Sequence, residues 1–258
     1  MGEAMLAAVL EKKLAVPADI SVSDISNSRR SYLKEKYGIS VTKNNRVAVR
    51  GKNVIILAVK PQNVPEVLAD LKGQLKPGQL VLSIAAGVKI YTLSQGLGHR
   101  KIVRAMPNTP AQVGFGMSGW TTTAAVTRTQ KKQAQAVLAA MGREIYFDDE
   151  EYLDMVTAVS GSGPAYFYLF AESLADAAVA IGLSRPDAEQ LVRQTMFGSA
   201  RLLRKSGQTP AELRRAVTSK GGTTERALQV FEDGGFAGLV TAAVRAAYLR
   251  AKELGKKT

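Results

Sequence analysis

The chain has 258 residues, 46% of them apolar and 22% charged, with a formal net charge of +13. That length supports one large core or two moderate ones, and with no run of about 18 apolar residues and no signal-peptide pattern the chain is expected to be cytoplasmic, with no membrane partner. The absence of cysteine excludes disulfides, thiol nucleophiles and thiolate metal sites. One histidine, His99, stands in a Gly98-His99-Arg100-Lys101 turn and reads as a surface loop residue, so neither a metal site nor a Ser-His-Asp triad is expected. The positive charge is concentrated early: residues 1–150 carry 21 Lys/Arg against 11 Asp/Glu, and residues 151–258 carry 14 against 11. Basic residues are scattered and no nucleic-acid motif accompanies them, so solubility and attraction of small anions explain the charge and no nucleic-acid partner is expected.

In chain order, the first half alternates amphipathic helical patterns with short β-rich runs. A helix is expected at 3–14, a strand at 20–23, a helix at 28–37, a strand at 54–59 and a helix at 64–71. Strands follow at 80–84 and 102–105, then a helix at 128–141 and a strand at 144–147. Such alternation predicts βαβ units and a mostly parallel sheet covered on both faces. From Tyr152 onward the chain is Ala/Leu-rich at helical spacing, with breaks near 161–164, 182–186, 207–210 and 234–235. Two domains follow, an α/β one at 1–150 and an all-α one at 151–258, divided near the acidic turn Asp148-Asp149-Glu150-Glu151. Dense apolar positions in 171–181 and 239–249 need burial, within the helical domain or against a second copy.

The most chemically informative stretch is Ser219-Lys220-Gly221-Gly222-Thr223-Thr224, between helical patterns at 210–217 and 225–231. Paired glycines let a backbone approach a ligand closely, and the amides that follow open a helix whose dipole favours an anion. A threonine adds a hydroxyl able to donate and accept. The loop reads as a cradle for a small carboxylate with a polar neighbour. Taken alone, it also reads as an ordinary helix cap behind a glycine turn.

The run from Pro210-Ala211-Glu212-Leu213 through Gly221-Gly222-Thr223-Thr224 to Ala227-Leu228 resembles the signature of the pyrroline-5-carboxylate reductase family. Three more segments match that family in the same order: Ala58-Val59-Lys60-Pro61, Arg104-Ala105-Met106-Pro107-Asn108-Thr109-Pro110, and Ser160-Gly161-Ser162-Gly163-Pro164-Ala165-Tyr166. The resemblance spans nearly the whole chain. It implies a Rossmann-like dinucleotide-binding domain followed by an all-α dimerisation domain that also serves the substrate. It further implies a homodimer or a higher ring of dimers, and reduction of the cyclic imine 1-pyrroline-5-carboxylate to L-proline by hydride from NAD(P)H.

On that resemblance Thr224 is the catalytic residue, its hydroxyl against the ring nitrogen. Ser219, Gly222 and Thr223 hold the carboxylate, Thr224 completes the substrate-binding set, and Ser162 lines the pocket. Lys220 stands where proline is common in the family. The dinucleotide falls to Gly2 and Met5 at the start of the first helix, to Ala58, Val59, Lys60 and Pro61 at one strand end, and to Met106, Pro107, Asn108 and Thr109 at another, with Asn108 toward the nicotinamide carboxamide. Asp24 suits the ribose hydroxyls of NAD, whereas Ser26, Asn27, Ser28, Arg29 and Arg30 suit the 2′-phosphate of NADP. Ser26–Ser28 equally suits a helix cap. NADP is expected, with NAD possible.

The resemblance has one departure. Gly2 aligns with the third glycine of a Gly-x-Gly-x-x-Gly turn, so the first strand and the first two glycines lie outside the sequence. Either the natural protein begins upstream or a shortened product exists. The expectation is that the 258-residue chain leaves strand edges unpaired and is unstable or nearly inactive. A related cyclic-imine or hydroxy-acid reductase is the alternative enzyme, but hydroxy-acid dehydrogenases of this plan offer a lysine that 165–181 lacks. An inactive helical dimerisation protein is the non-enzymatic alternative.

Overall fold

Leu80, Val81, Leu82 and Ser83 make up β4 (Leu80–Ser83), and all four are fully buried. This is the pattern of a strand covered on both faces. Parallel neighbours flank it: β3 (Val54–Leu57), with Val54 opposite Leu80, and β5 (Ile102–Met106), with Ile102 opposite Val81. β6 (Gly116–Thr122) is antiparallel to β5, and β7 (Gly142–Tyr146) is parallel to β6, completing the order β3-β4-β5-β6-β7. β1 (Ser21–Ser23) and β2 (Ser40–Thr42) form a separate parallel pair, not hydrogen-bonded to the five strands. The structure, a computed structural model, describes residues 1–256.

Strand alternation sends β4 side chains to opposite faces. Leu80 and Leu82 meet Met5 and Ala8 of α1 (Gly2–Glu11) and Ala134 and Leu138 of α6 (Arg128–Ala140) in one core cluster. Val81 joins Leu68 of α4 (Val64–Leu71) and Leu93 of α5 (Ile90–Leu97) in the other. Burying such a Leu or Val contributes roughly 1.5–3 kcal/mol. A third cluster joins Leu6 to Leu33 of α2 (Asn27–Tyr37) and to Ile39. The start of α6 is sealed by a capping box: Thr127 Oγ1 accepts from Gln130 N and Gln130 Oε1 accepts from Thr127 N.

β2, β6, α3 (Asn45–Val49) and α5 are elements that the sequence pattern did not signal. β6 reads Gly-Met-Ser-Gly-Trp-Thr-Thr, with no apolar alternation, yet Ser118, Trp120 and Thr121 are buried. Its strand state comes from pairing on both edges, with β5 and with β7. His99 is also corrected: it is 6% exposed, not a surface residue. Its Nε2 lies 2.7 Å from Gln79 O, and since a carbonyl only accepts, Nε2 carries the proton. It is a satisfied interior histidine.

The chain forms two compact units. The first runs from Met1 to Ser162, taking in α7 (Tyr152–Val156) and a π-helical turn at Thr157–Gly161, and it regains the chain from Ala246. The second, Gly163–Arg245, holds α8 (Gly163–Ala180), α9 (Arg185–Ser206), α10 (Pro210–Ala216), α11 (Thr223–Asp233) and the first part of α12 (Phe236–Lys256). Many large apolar side chains of this unit are at the surface, among them Phe167, Leu169, Ile181, Phe197 and Leu239. Phe170, Phe231 and Phe236 form an aromatic cluster with centroids 5.6–6.5 Å apart. Among the described residues no helix is long and apolar enough to cross a membrane.

Candidate active site

In the helical unit, α10 is opened by a capping box between Thr209 and Glu212, and Thr218 Oγ1 donates back to Arg214 O at 2.6 Å. The chain then turns through Ser219-Lys220-Gly221-Gly222. Gly221 has φ +73°, a left-handed conformation that a side chain would strain, and its N–H donates to Glu225 Oε2 at 2.7 Å. Gly222 N donates to Ser219 O at 3.0 Å, and a Cβ on Gly222 would stand 2.5 Å from Ser219 Oγ. Gly222 is the N-cap of α11 and brings no side-chain acceptor to it. The first-turn amides of Thr223 and Thr224 therefore receive no acceptor from the cap side chain, and Ser219 stands beside Gly222. Thr223 is exposed and Thr224 half-buried.

In the α/β unit the ends of β3 and β5 carry the other candidates. Gly2, first residue of α1, lies so close to β3 that a Cβ there would be 3.1 Å from the Ala58 Cβ. Ala58 and Lys60 are exposed, Val59 and Pro61 half-buried, and Lys60 caps the short 3-10 turn Pro61–Asn63. Met5 is a correction. Its side chain is 1% exposed within the core and its N–H donates to Met1 O, so it offers no group to a dinucleotide.

After β1, Asp24 Oδ1 accepts from Ser26 N at 2.8 Å, and Ser26 Oγ accepts from Arg29 N, so the serine caps α2. Arg30 Nη1 holds the carbonyls of Asp24 and Ile25, and its Nη2 donates to Asn27 Oδ1 at 3.1 Å. Arg29 donates to Glu3, which also accepts from Tyr32, Lys36 and Tyr37. Burial raises the Glu3 pKa, but those four donors outweigh it and bring the carboxyl down to about 2.

At the end of β5, Met106 is half-buried, Pro107 buried and Thr109 exposed. Asn108 Oδ1 accepts from Met117 N at 2.8 Å and Nδ2 donates to Ser160 Oγ at 3.2 Å. Ser160 is a partner that residue types alone did not single out, because the contact joins positions 52 apart. Ser162, the residue after the π turn, donates its N–H to Thr157 O at 2.8 Å.

Beneath this loop lies a buried charge cluster. Arg104, 3% exposed on β5, donates to Glu150 Oε1 at 2.7 Å. Its Nη2 is 3.5 Å from Asp154 Oδ1, close enough for ionic attraction but outside hydrogen-bond geometry. Lys89 Nζ reaches Asp154 Oδ2 at 2.8 Å, and Ile90 N donates to Glu150 Oε1 at 2.8 Å. Among the described residues no group of His, Asp and Glu is arranged to hold a metal ion. A cavity of about 870 Å³ along α9, lined by Arg185, Glu189, Arg193 and Phe197, includes none of the candidate residues.

Residues 150–254 match the family described as pyrroline-5-carboxylate reductase dimerisation, and residues 1–87 match the family described as NADP oxidoreductase, coenzyme F420-dependent. A pyrroline-5-carboxylate reductase of Synechocystis is 42% identical over 257 residues, covering 100% of this chain and 96% of the relative. The solved pyrroline-5-carboxylate reductase of Coxiella burnetii is similar at a TM-score of 0.91 and 38% identity, covering 98% of this chain and 94% of that one. That of Plasmodium falciparum, solved with NADP bound, is similar at a TM-score of 0.87 and 33% identity, covering 99% and 94%. With identity of this level sustained along its whole length, the chain belongs to the pyrroline-5-carboxylate reductase family.

Proposed function

We propose that this chain is an NAD(P)H-dependent oxidoreductase that reduces 1-pyrroline-5-carboxylate to L-proline, the last step of proline biosynthesis. The observation that carries the reading is the uncapped first turn of α11, where free amides and two threonine hydroxyls stand behind the Gly221-Gly222 turn. Residues 1–150 serve the cofactor and 151–258 serve substrate and dimerisation.

The substrate carboxylate is bound by the amides of Thr223 and Thr224 with the Ser219 hydroxyl, and the Gly222 backbone gives it room. A carboxylate at a helix N-terminus gains from the dipole as well as from the amides. Thr224 Oγ1 accepts the N–H of the iminium ring and keeps the C=N bond oriented. As the ring nitrogen becomes an amine, the same hydroxyl turns to donate to its lone pair. No strong side-chain acid is needed if the imine enters already protonated.

The residues at the strand ends fit a dinucleotide. Gly2 lets α1 lie against Ala58, and the strand ends offer Ala58, Val59, Lys60, Pro61, Met106, Pro107, Asn108 and Thr109, of which Ala58, Lys60 and Thr109 are exposed. A bound reduced nicotinamide dinucleotide supplies the hydride. NADP is the preferred cofactor and NAD a possible one: the NADP-bound relative and the hydroxyls of Ser26 and Ser28 favour the first, and Asp24 leaves room for the second.

The exposed apolar faces of α8, α9 and α12 support a homodimer; assembly into a ring of dimers and a cytoplasmic location complete the proposal. Oxidation of NADPH and NADH by the purified chain with 1-pyrroline-5-carboxylate, with proline identified as product, tests the activity. Absence of turnover with either cofactor, both in this chain and in a form extended upstream by a first strand, overturns it. Light scattering on the eluted protein tests the assembly, and a fluorescent fusion its location.

A further inference from the structure

We propose that Ser160, acting through Asn108 and seconded by Gly161, is a positioning residue that sets the loop after β5. This rests on the reading above that the Met106–Thr109 loop serves the nicotinamide end of the cofactor. Three observations carry it, all within the α/β unit.

The Asn108 carboxamide is committed at both poles. Its oxygen faces Met117 N–H, which can only donate, so its NH₂ must face Ser160 Oγ at 3.2 Å. The amide thus clasps the start of β6 on one side and the π-helical turn on the other.

The next residue makes the second contact. A Cβ on Gly161 would stand 2.6 Å from Met106 Cε, so the turn presses directly on the methionine that ends β5. Adjacent residues of one turn therefore hold two residues of one loop.

The turn itself is the third observation. Ser162 N bonds to Thr157 O, an i to i+5 bond, so one extra residue widens the helix at this point. That insertion rotates the following residues relative to a continuous α-helix. The helix before it is tied to β5 and α5 by the charges of Arg104, Glu150, Asp154 and Lys89, so the turn is anchored upstream as well.

The test is steady-state kinetics of Ser160→Ala and Ser160→Thr beside the unaltered protein, with cofactor deuterated at the transferred position. In Ser160→Ala, kcat is expected to fall about tenfold, because reacting atoms held off their contact geometry lose rate steeply. KM for NADPH stays within about twofold, since the adenosine end is untouched. The primary isotope effect on kcat rises as hydride transfer becomes limiting, and Ser160→Thr, which keeps the hydroxyl, restores both values. Unchanged kcat and isotope effect in Ser160→Ala overturn the proposal. So does a fall in kcat with unchanged isotope effect and a lowered unfolding midpoint, which marks a merely structural bond. No turnover by the unaltered protein and none by its upstream-extended form overturns the reductase reading, and this proposal with it; turnover only in the extended form moves the same comparison of variants to that form.

Discussion

Arg104 Nη1 and Glu150 Oε1 lie 2.7 Å apart, joining the middle of a core strand to the acidic turn that the sequence presents as a boundary. The guanidinium is 3% exposed and also faces Asp154, itself 4% exposed. Removing Arg104 leaves Glu150 without its guanidinium partner and the buried Asp154 with Lys89 alone. Arg104→Ala is expected to cost about 3–5 kcal/mol of unfolding free energy. Urea denaturation checks this, and a loss comparable to an exposed ion pair would show that water reaches the carboxylates.

Glu3 gives the pH dependence a specific source. Its carboxyl is depressed from 4.5 to about 2 by four donors that outweigh its burial. A depressed folded-state pKa contributes stability above the unfolded value, and that stability is lost as pH falls through the folded one. The stability gap between the unaltered chain and Glu3→Gln is therefore expected to be full above pH 4.5 and to close toward pH 2. Denaturation midpoints of both proteins across that interval measure it; a gap that does not vary with pH contradicts the assignment.

Thr224→Ala removes the hydroxyl assigned to the ring nitrogen. A hydrogen bond to a charged group is worth about 1.5–3 kcal/mol, so turnover is expected to drop roughly 10- to 100-fold. Dinucleotide affinity, read by fluorescence titration, should stay as it was. Turnover equal to that of the unaltered protein would remove Thr224 from the mechanism.

Gly222→Ala tests the carboxylate cradle separately. The new methyl meets Ser219 Oγ at 2.5 Å and Ser219 O at 3.0 Å, so the serine must move. KM for the imine should rise by about tenfold, with cofactor KM unaffected, if one charge-assisted bond is lost. Equal effects on both constants would point to general unfolding of the loop.

Leu239→Glu and Phe167→Glu place charges on apolar side chains that are 68% and 66% exposed. Burying an unpaired carboxylate at an interface opposes association strongly. Sedimentation should find the unaltered chain dimeric or larger and the variants shifted toward monomer, with little change in helix content.

Elements with a strong local pattern were legible in the residues. α4 was expected at 64–71 and spans Val64–Leu71, and β4 was expected at 80–84 and spans Leu80–Ser83. α11 begins at Thr223, directly behind the glycine pair that signalled it. β6 was not legible, because nothing in Gly-Met-Ser-Gly-Trp-Thr-Thr alternates and its order comes from two neighbouring strands. The interior place of His99 was hidden for a similar reason: its partner is a carbonyl 20 residues away. Met5 looked like part of a ligand-facing turn but lies on the core face of α1, a matter of helix phase.

The amino-acid sequence by itself determined the family, the division into an α/β part followed by a helical one, and the glycine-threonine loop, because these depend on residue types at short spacing. Tertiary structure decided which of those residues are free to act. Arg29 and Arg30 read as phosphate ligands until packing commits them to Glu3, Asp24, Ile25 and Asn27. Asn108 acquires its orientation from Met117 and Ser160, both supplied by other segments. A hydrogen bond is spent on whichever partner folding brings within 3 Å or so, and that choice is made by the chain in space.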